Sequence, residues 1–163
     1  MKMSRERIIF LILILTVVLV TAFILINSFM DYEKSHSSSG IITDLITSTD
    51  DLAEWDHTEF IVRKLAHLVE YSFLGLCVAA LSVFLNATYN KKLYGYALFY
   101  VLLVSVTDEY IQSFTDRGSA ISDVLLDFIG SLIGIVSVLL VALLLRRLRR
   151  NRALGKGKAE IDK

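Results

Sequence analysis

The sequence predicts an all-α membrane protein: a compact bundle of four transmembrane helices with both termini cytoplasmic. Three observations carry that reading. Hydrophobic residues make up 55% of the 163-residue chain, 21% are charged, and the mean hydropathy is +0.59. A soluble domain is closer to about one half apolar and one quarter charged. The apolar excess is gathered into four blocks, and a bilayer core about 30 Å thick needs roughly 20 helical residues to cross it. Three basic segments fall on one side of those blocks and an acidic loop on the other. The 17 basic and 17 acidic residues cancel, which argues against nucleic-acid binding driven by net charge. A lone cysteine, Cys77, excludes an intrachain disulfide and with it a stapled secreted fold. Proline is absent, so no block is kinked by that route.

Residues 1–30 read as a cytoplasmic stub and a first membrane anchor. Its uncharged run, Ile8 to Asn27, is longer than the roughly 7–15 residues of a signal-peptide core, and no small-residue cleavage site follows. Residues 31–60 read as an acidic extracellular loop, with Lys34 as its only base against Asp31, Glu33, Asp44, Asp50, Asp51, Glu54, Asp56 and Glu59. Ser35 to Gly40 looks like a flexible start to that loop. Ile41 to Trp55 has apolar contacts for a short helix lying on the membrane. Residues 61–145 hold three further spans, near 61–85, 93–114 and 122–145. Residues 146–163 form a basic tail, in which Arg146, Arg147, Arg149, Arg150 and Arg152 suit anionic headgroups better than nucleic acid. With Lys2, Arg5 and Arg7, and with Lys91 and Lys92, that tail places three basic segments on one side. By the positive-inside rule that side is cytoplasmic.

Depth then brings the polar residues together. Arg63 and Lys64 start the second span at the outer interface, and His67 and Glu70 lie about 6 and 10 Å deeper at 1.5 Å per residue. The third span returns outward to deliver Asp108, Glu109 and Gln112. The fourth begins with Asp123 and has Asp127 about 6 Å further in. Faces agree with depths, because Arg63, His67 and Glu70 share one helical stripe with Lys64 and Tyr71 beside it. Asp123, Asp127, Gly130 and Gly134 form another. The last two belong to a GxxxG-type contact, which turns the aspartates toward the bundle.

Two readings of this layer stay open at the level of sequence. One is a salt-bridge network joining three helices, with Arg63, Lys64 and Arg117 neutralising Glu70, Asp108, Glu109, Asp123 and Asp127. The other is a polar pocket at the outer surface that binds or processes an envelope molecule. His67 with Glu70 could serve as a general base oriented by a carboxylate or as a metal ligand, yet His-x-x-Glu alone is unspecific and a hydrogen-bonding role is favoured, so no catalytic residue is assigned. HExxH, GxSxG, CxxC and glycine-rich phosphate loops are all absent. No metal and no cofactor is expected. A transporter is disfavoured because the inner halves of the spans lack a polar path.

Three ordered motifs carry a family resemblance. Arg63-Lys64-Leu65-Ala66-His67-Leu68-Val69-Glu70-Tyr71, then Leu74-Gly75, resembles the RKxxHxxEY…LG signature of the VanZ-like family. Asp108-Glu109-Tyr110-Ile111-Gln112-Ser113-Phe114, then Arg117-Gly118, is similar to its second element. Ser122-Asp123-Val124 with Asp127, Gly130 and Gly134 resembles its third, with Asp127 where many members carry Asn. The resemblance covers residues 60–136. It implies a multi-pass protein of the bacterial cytoplasmic membrane, acting at the outer face in envelope physiology or in resistance to the glycopeptide teicoplanin. The expected partners are membrane lipids and a lipoglycopeptide or cell-wall precursor, with no nucleic acid. The ligand would meet Arg63, Lys64, His67, Glu70, Tyr71, Asp108, Glu109, Gln112, Arg117, Asp123 and Asp127. A non-enzymatic role is expected, and the alternative is a membrane-embedded hydrolase or transferase acting on an envelope lipid or wall precursor.

Overall fold

The computed structural model describes residues 4–29, 32–47, 52–114 and 120–161. Five helices follow one another: α1 (Arg5–Ser28), α2 (Tyr32–Ile46), α3 (Leu52–Tyr89), α4 (Tyr94–Gln112) and α5 (Ile121–Ile161). No strand occurs among the described residues.

Helix α1 begins at Ser4, whose hydroxyl accepts from the Arg7 amide at 3.4 Å, with Glu6 in the first turn beside the positive end of the helix dipole. It is apolar on all sides. A helix of that kind belongs in a large core or in lipid, and no core of that size exists here. Only 11% of the apolar stretch of α1 is buried, against 33% for α3 and 22% for α5. These three helices are long and apolar enough to cross a membrane. Helix α4 has 19 residues, a length of about 28 Å. Its last turn carries Asp108, Glu109 and Gln112, so its apolar stretch is shorter than those of the others. Phe99, Leu103 and Val106 nevertheless point outward from it.

Helices α3 and α5 share the most extensive contact in the molecule, and glycine makes it possible. A Cβ on Gly130 would lie 2.7 Å from the Leu68 carbonyl oxygen. One on Gly134 would overlap the Ser72 carbonyl, and one on Gly75 would overlap the backbone of Ser131. The expected GxxxG seam is therefore met by a glycine of α3, and the two backbones touch. Around it lies the apolar core, which includes Leu74, Val78, Val101, Val104 and Ile135. Helix α1 joins the core through Val17 and Ile24, and Thr21 meets the Tyr100 hydroxyl at 2.8 Å. Between α3 and α4 the chain reverses at Asn90, whose φ of 54° is a left-handed value that asparagine tolerates better than most residues.

The segment expected as a loop is largely helical. Ser35 to Gly40 lies within α2, which ends at Ile46, and Trp55 belongs to α3 rather than to a surface helix running from Ile41. Packing on α3 overrides the low helix propensity of serine and glycine. Ser39 donates to Glu59, Trp55 Nε1 donates to Asp44 at 2.8 Å, and the Trp55 ring lies against Gly40. Ile41, Ile42, Leu45 and Ile46 are exposed on the remaining face of α2.

Candidate functional site

Four helices bring polar groups to one end of the bundle. Helices α1 and α4 end there, α5 begins there, and α3 passes through. Asp108 is the hub and is fully buried. Its Oδ1 accepts from the Ser28 hydroxyl of α1 and from Gln112 Nε2 at 3.2 Å. Its Oδ2 accepts from the Tyr71 hydroxyl of α3 at 2.8 Å. Three donors on three helices thus fix one carboxylate. Asp127 of α5 is equally buried, yet neither of its oxygens has a hydrogen-bond partner among the described residues. His67 stands between the two acids, with Nδ1 3.8 Å from Asp108 Oδ2 and 3.6 Å from Asp127 Oδ1.

Above this floor opens a cleft of about 610 Å³ lined by Phe60, Arg63, Lys64, His67, Glu109, Gln112, Ala120, Ser122, Asp123, Leu126 and Asp127. Lys64 pairs with Asp123 across the α3–α5 boundary and lies 5.2 Å over the Phe60 ring. Arg63 Nε pairs with Glu59 Oε1 at 3.2 Å, one turn back on α3. Glu109 Oε2 accepts from the Ala120 amide at 3.0 Å. That places its negative charge at the start of α5, where the helix dipole favours it.

Most of the residues predicted from sequence meet here. Arg63, Lys64, His67, Glu109, Gln112, Asp123 and Asp127 line the cleft, while Tyr71 and Asp108 lie beneath it. Glu70 is partly buried and does not line the cleft, although it shares a stripe with His67. The α3 and α5 backbones approach closely two residues away, at Leu68 and Gly130. Arg117 lies outside the described residues. Sequence reasoning missed Ser28 and the α2–α3 set of Ser39, Thr43 and Glu59, all of them buried. The signal for Ser28 was its position, a hydroxyl closing an otherwise apolar span at the depth of the other polar groups.

Fold and site together define a helical membrane protein whose ionisable groups converge at one end of its bundle around a cleft. A model of the VanZ/LLP1 family matches residues 10–145, and the chain belongs to that family. The match takes in α1 as well as the three motif-bearing helices, so the first span is part of the family unit. No curated protein and no solved structure matches the chain.

Proposed function

We propose that this protein crosses the bacterial cytoplasmic membrane four times, with both ends in the cytoplasm, and binds a polar envelope molecule in its cleft at the outer face. The observation that carries the reading is the cleft itself. It joins two cations, three carboxylates and an imidazole above a seam of touching helices. An isolated ion-pair network would have no need of the space. Helix α4 supplies the fourth span, since its length approaches the bilayer core and it turns Phe99, Leu103 and Val106 outward. Lys91, Lys92 and the Arg146–Arg152 tail stand at the opposite end of the helices from the cleft, which supports an outward-facing site. Arg63 and Lys64 suit an anionic group of a lipid headgroup, wall precursor or lipoglycopeptide. Glu109 and Asp123 suit its hydroxyls or amines.

Orientation is checked by cysteine labelling in a Cys77→Ala background. A membrane-impermeant reagent should reach Ser38→Cys but not Lys158→Cys in intact cells, and the reverse pattern sinks the outer-face site. Function is checked in a susceptible Gram-positive host. Inhibitory concentrations should rise more for teicoplanin than for vancomycin, because a lipid-tailed glycopeptide concentrates at the depth of the cleft. His67→Ala at an equal membrane level should abolish the rise. An unchanged teicoplanin response with normal protein levels would remove resistance as the activity.

A second reading, a membrane-embedded hydrolase or transferase, draws on one observation: His67 lies within 4 Å of two carboxylates at the cleft floor. Turnover of a lipid-linked wall precursor by purified protein, lost in His67→Ala, would favour it.

A further inference from the structure

Asp127 poses a problem that the cleft residues leave unsolved. Its side chain is 1% exposed, both oxygens lack hydrogen-bond partners among the described residues, and Oδ1 points at His67. A buried carboxylate without donors is costly unless a countercharge meets it. Among the described residues, the two cations of the cleft are engaged elsewhere, Lys64 with Asp123 and Arg63 with Glu59. Asp108, on the other side of His67, is held by Ser28, Tyr71 and Gln112. One acid is oriented by three donors while its neighbour has none among the described residues.

The geometry points to a divalent metal ion of the zinc or manganese class, bound by His67 Nδ1, one oxygen of Asp108 and one oxygen of Asp127. The three ligand atoms lie within 4.8 Å of one another, and the two measured separations from Nδ1 are 3.6 and 3.8 Å. Ligands about 2.1 Å from a tetrahedral ion stand roughly 3.4 Å apart, so the two imidazole–carboxylate separations need to close by only a few tenths of an ångström, with the two carboxylates starting within 4.8 Å of each other. Two carboxylates and one imidazole match borderline and hard ions, and exclude the soft copper(I) that thiolates select. The ion neutralises both acids and supplies what Asp127 lacks. Tyr71, Ser28 and Gln112 then act as the outer layer that orients the Asp108 ligand. With His67 on the cleft wall, the remaining coordination position faces the cleft, where water or an anionic group of a ligand can enter. The site stands whichever reading of the cleft holds, since it rests on the acids and imidazole at the cleft floor and not on what fills the space above them.

The test uses the full chain purified in detergent, stripped with a mild chelator and reloaded with Zn²⁺ alone or Mn²⁺ alone. Mass spectrometry of the metal content should return about one ion per chain, and loading should raise the melting temperature. Asp127→Asn keeps the shape of the side chain and should weaken binding by about tenfold or more, as should His67→Ala. Monodisperse parental protein that takes up neither ion overturns the site, as does Asp127→Asn binding as tightly as the parent. Pulsed electron paramagnetic resonance of the Mn²⁺-loaded parent needs no variant. Nitrogen coupling from one imidazole is expected, and its absence overturns the assignment even if both variants fail to fold.

Discussion

At Gly130 and Gly134, α5 meets α3 backbone to backbone, whereas one and two turns toward its N-terminus, at Asp127 and Asp123, it meets the same helix through ionisable side chains. The two regions share both helices and one stripe of α5, yet they are held differently. The glycine seam is specified by shape, and every one of its contacts is made by atoms that cannot move independently. The polar layer is specified by partners, and its side chains leave a cleft between them. A close seam at one level lets the helices stand apart at the next without separating altogether. The open site depends on the tight contact below it.

The seam should therefore give the largest response. A side chain on Gly134 starts inside the Ser72 carbonyl and the Leu76 amide, and neither can rotate out of the way. Gly134→Leu should cost more than the roughly 1–3 kcal/mol of ordinary overpacking. Quantified membrane insertion and thermal melting in detergent should both show the loss. A variant that accumulates and melts like the parent would mean that α3 and α5 are further apart than the seam requires.

The polar layer should respond less steeply because its partners are shared. Arg63→Ala leaves Glu59 buried at 2% exposure, but Ser39 still donates to it. The expected cost is about 2–3 kcal/mol, below the full penalty for stranding a buried charge. Melting of purified protein reads it directly, with Arg63→Lys recovering part of the loss. If Arg63→Ala is neutral, Glu59 is satisfied with Ser39 still donating to it, and the ion pair adds nothing.

The same contrast explains what could be read from sequence. The rise and period of a helix are fixed, so the depth and face of Lys64, His67, Asp108, Asp123 and Asp127 followed from counting residues. The glycine stripe of α5 was legible for the same reason. Three features were not legible. An apolar helix such as α1 has no polar periodicity to give its orientation, so nothing aimed Ser28 at Asp108. Helix α2 contains a serine-rich run whose local preference is for a turn, and only its packing on α3 makes it helical. Glu70 shares the stripe of His67, but periodicity carries no information about where two backbones close. The backbones close at Leu68 and Gly130, two residues from Glu70, and Glu70 does not line the cleft.

The smallest expected effect concerns α1, the least buried of the three long apolar helices, with one hydroxyl in the polar layer. Ser28 donates to Asp108 Oδ1, Tyr71 donates to Asp108 Oδ2, and both hydroxyls are buried. Ser28→Ala removes one donor from a carboxylate that keeps Tyr71 and Gln112, so it should cost about 1 kcal/mol. Tyr71→Phe should cost about 1–2 kcal/mol, because the ring still fills the core while the hydroxyl's bond to the carboxylate is lost. The informative quantity is the coupling between them. If α1 is docked on the layer through Asp108, the two losses share one acceptor and should deviate from additivity by at least 0.5 kcal/mol, about the smallest coupling expected for residues in one network. Thr21→Val, which breaks the Tyr100 contact lower on α1, should add to Ser28→Ala independently because it touches no part of the carboxylate. Melting of the three single and two double variants decides the matter. Additive losses at Ser28 and Tyr71 would make α1 an anchor that lies beside the site, while coupled losses make it a fourth wall of the polar layer.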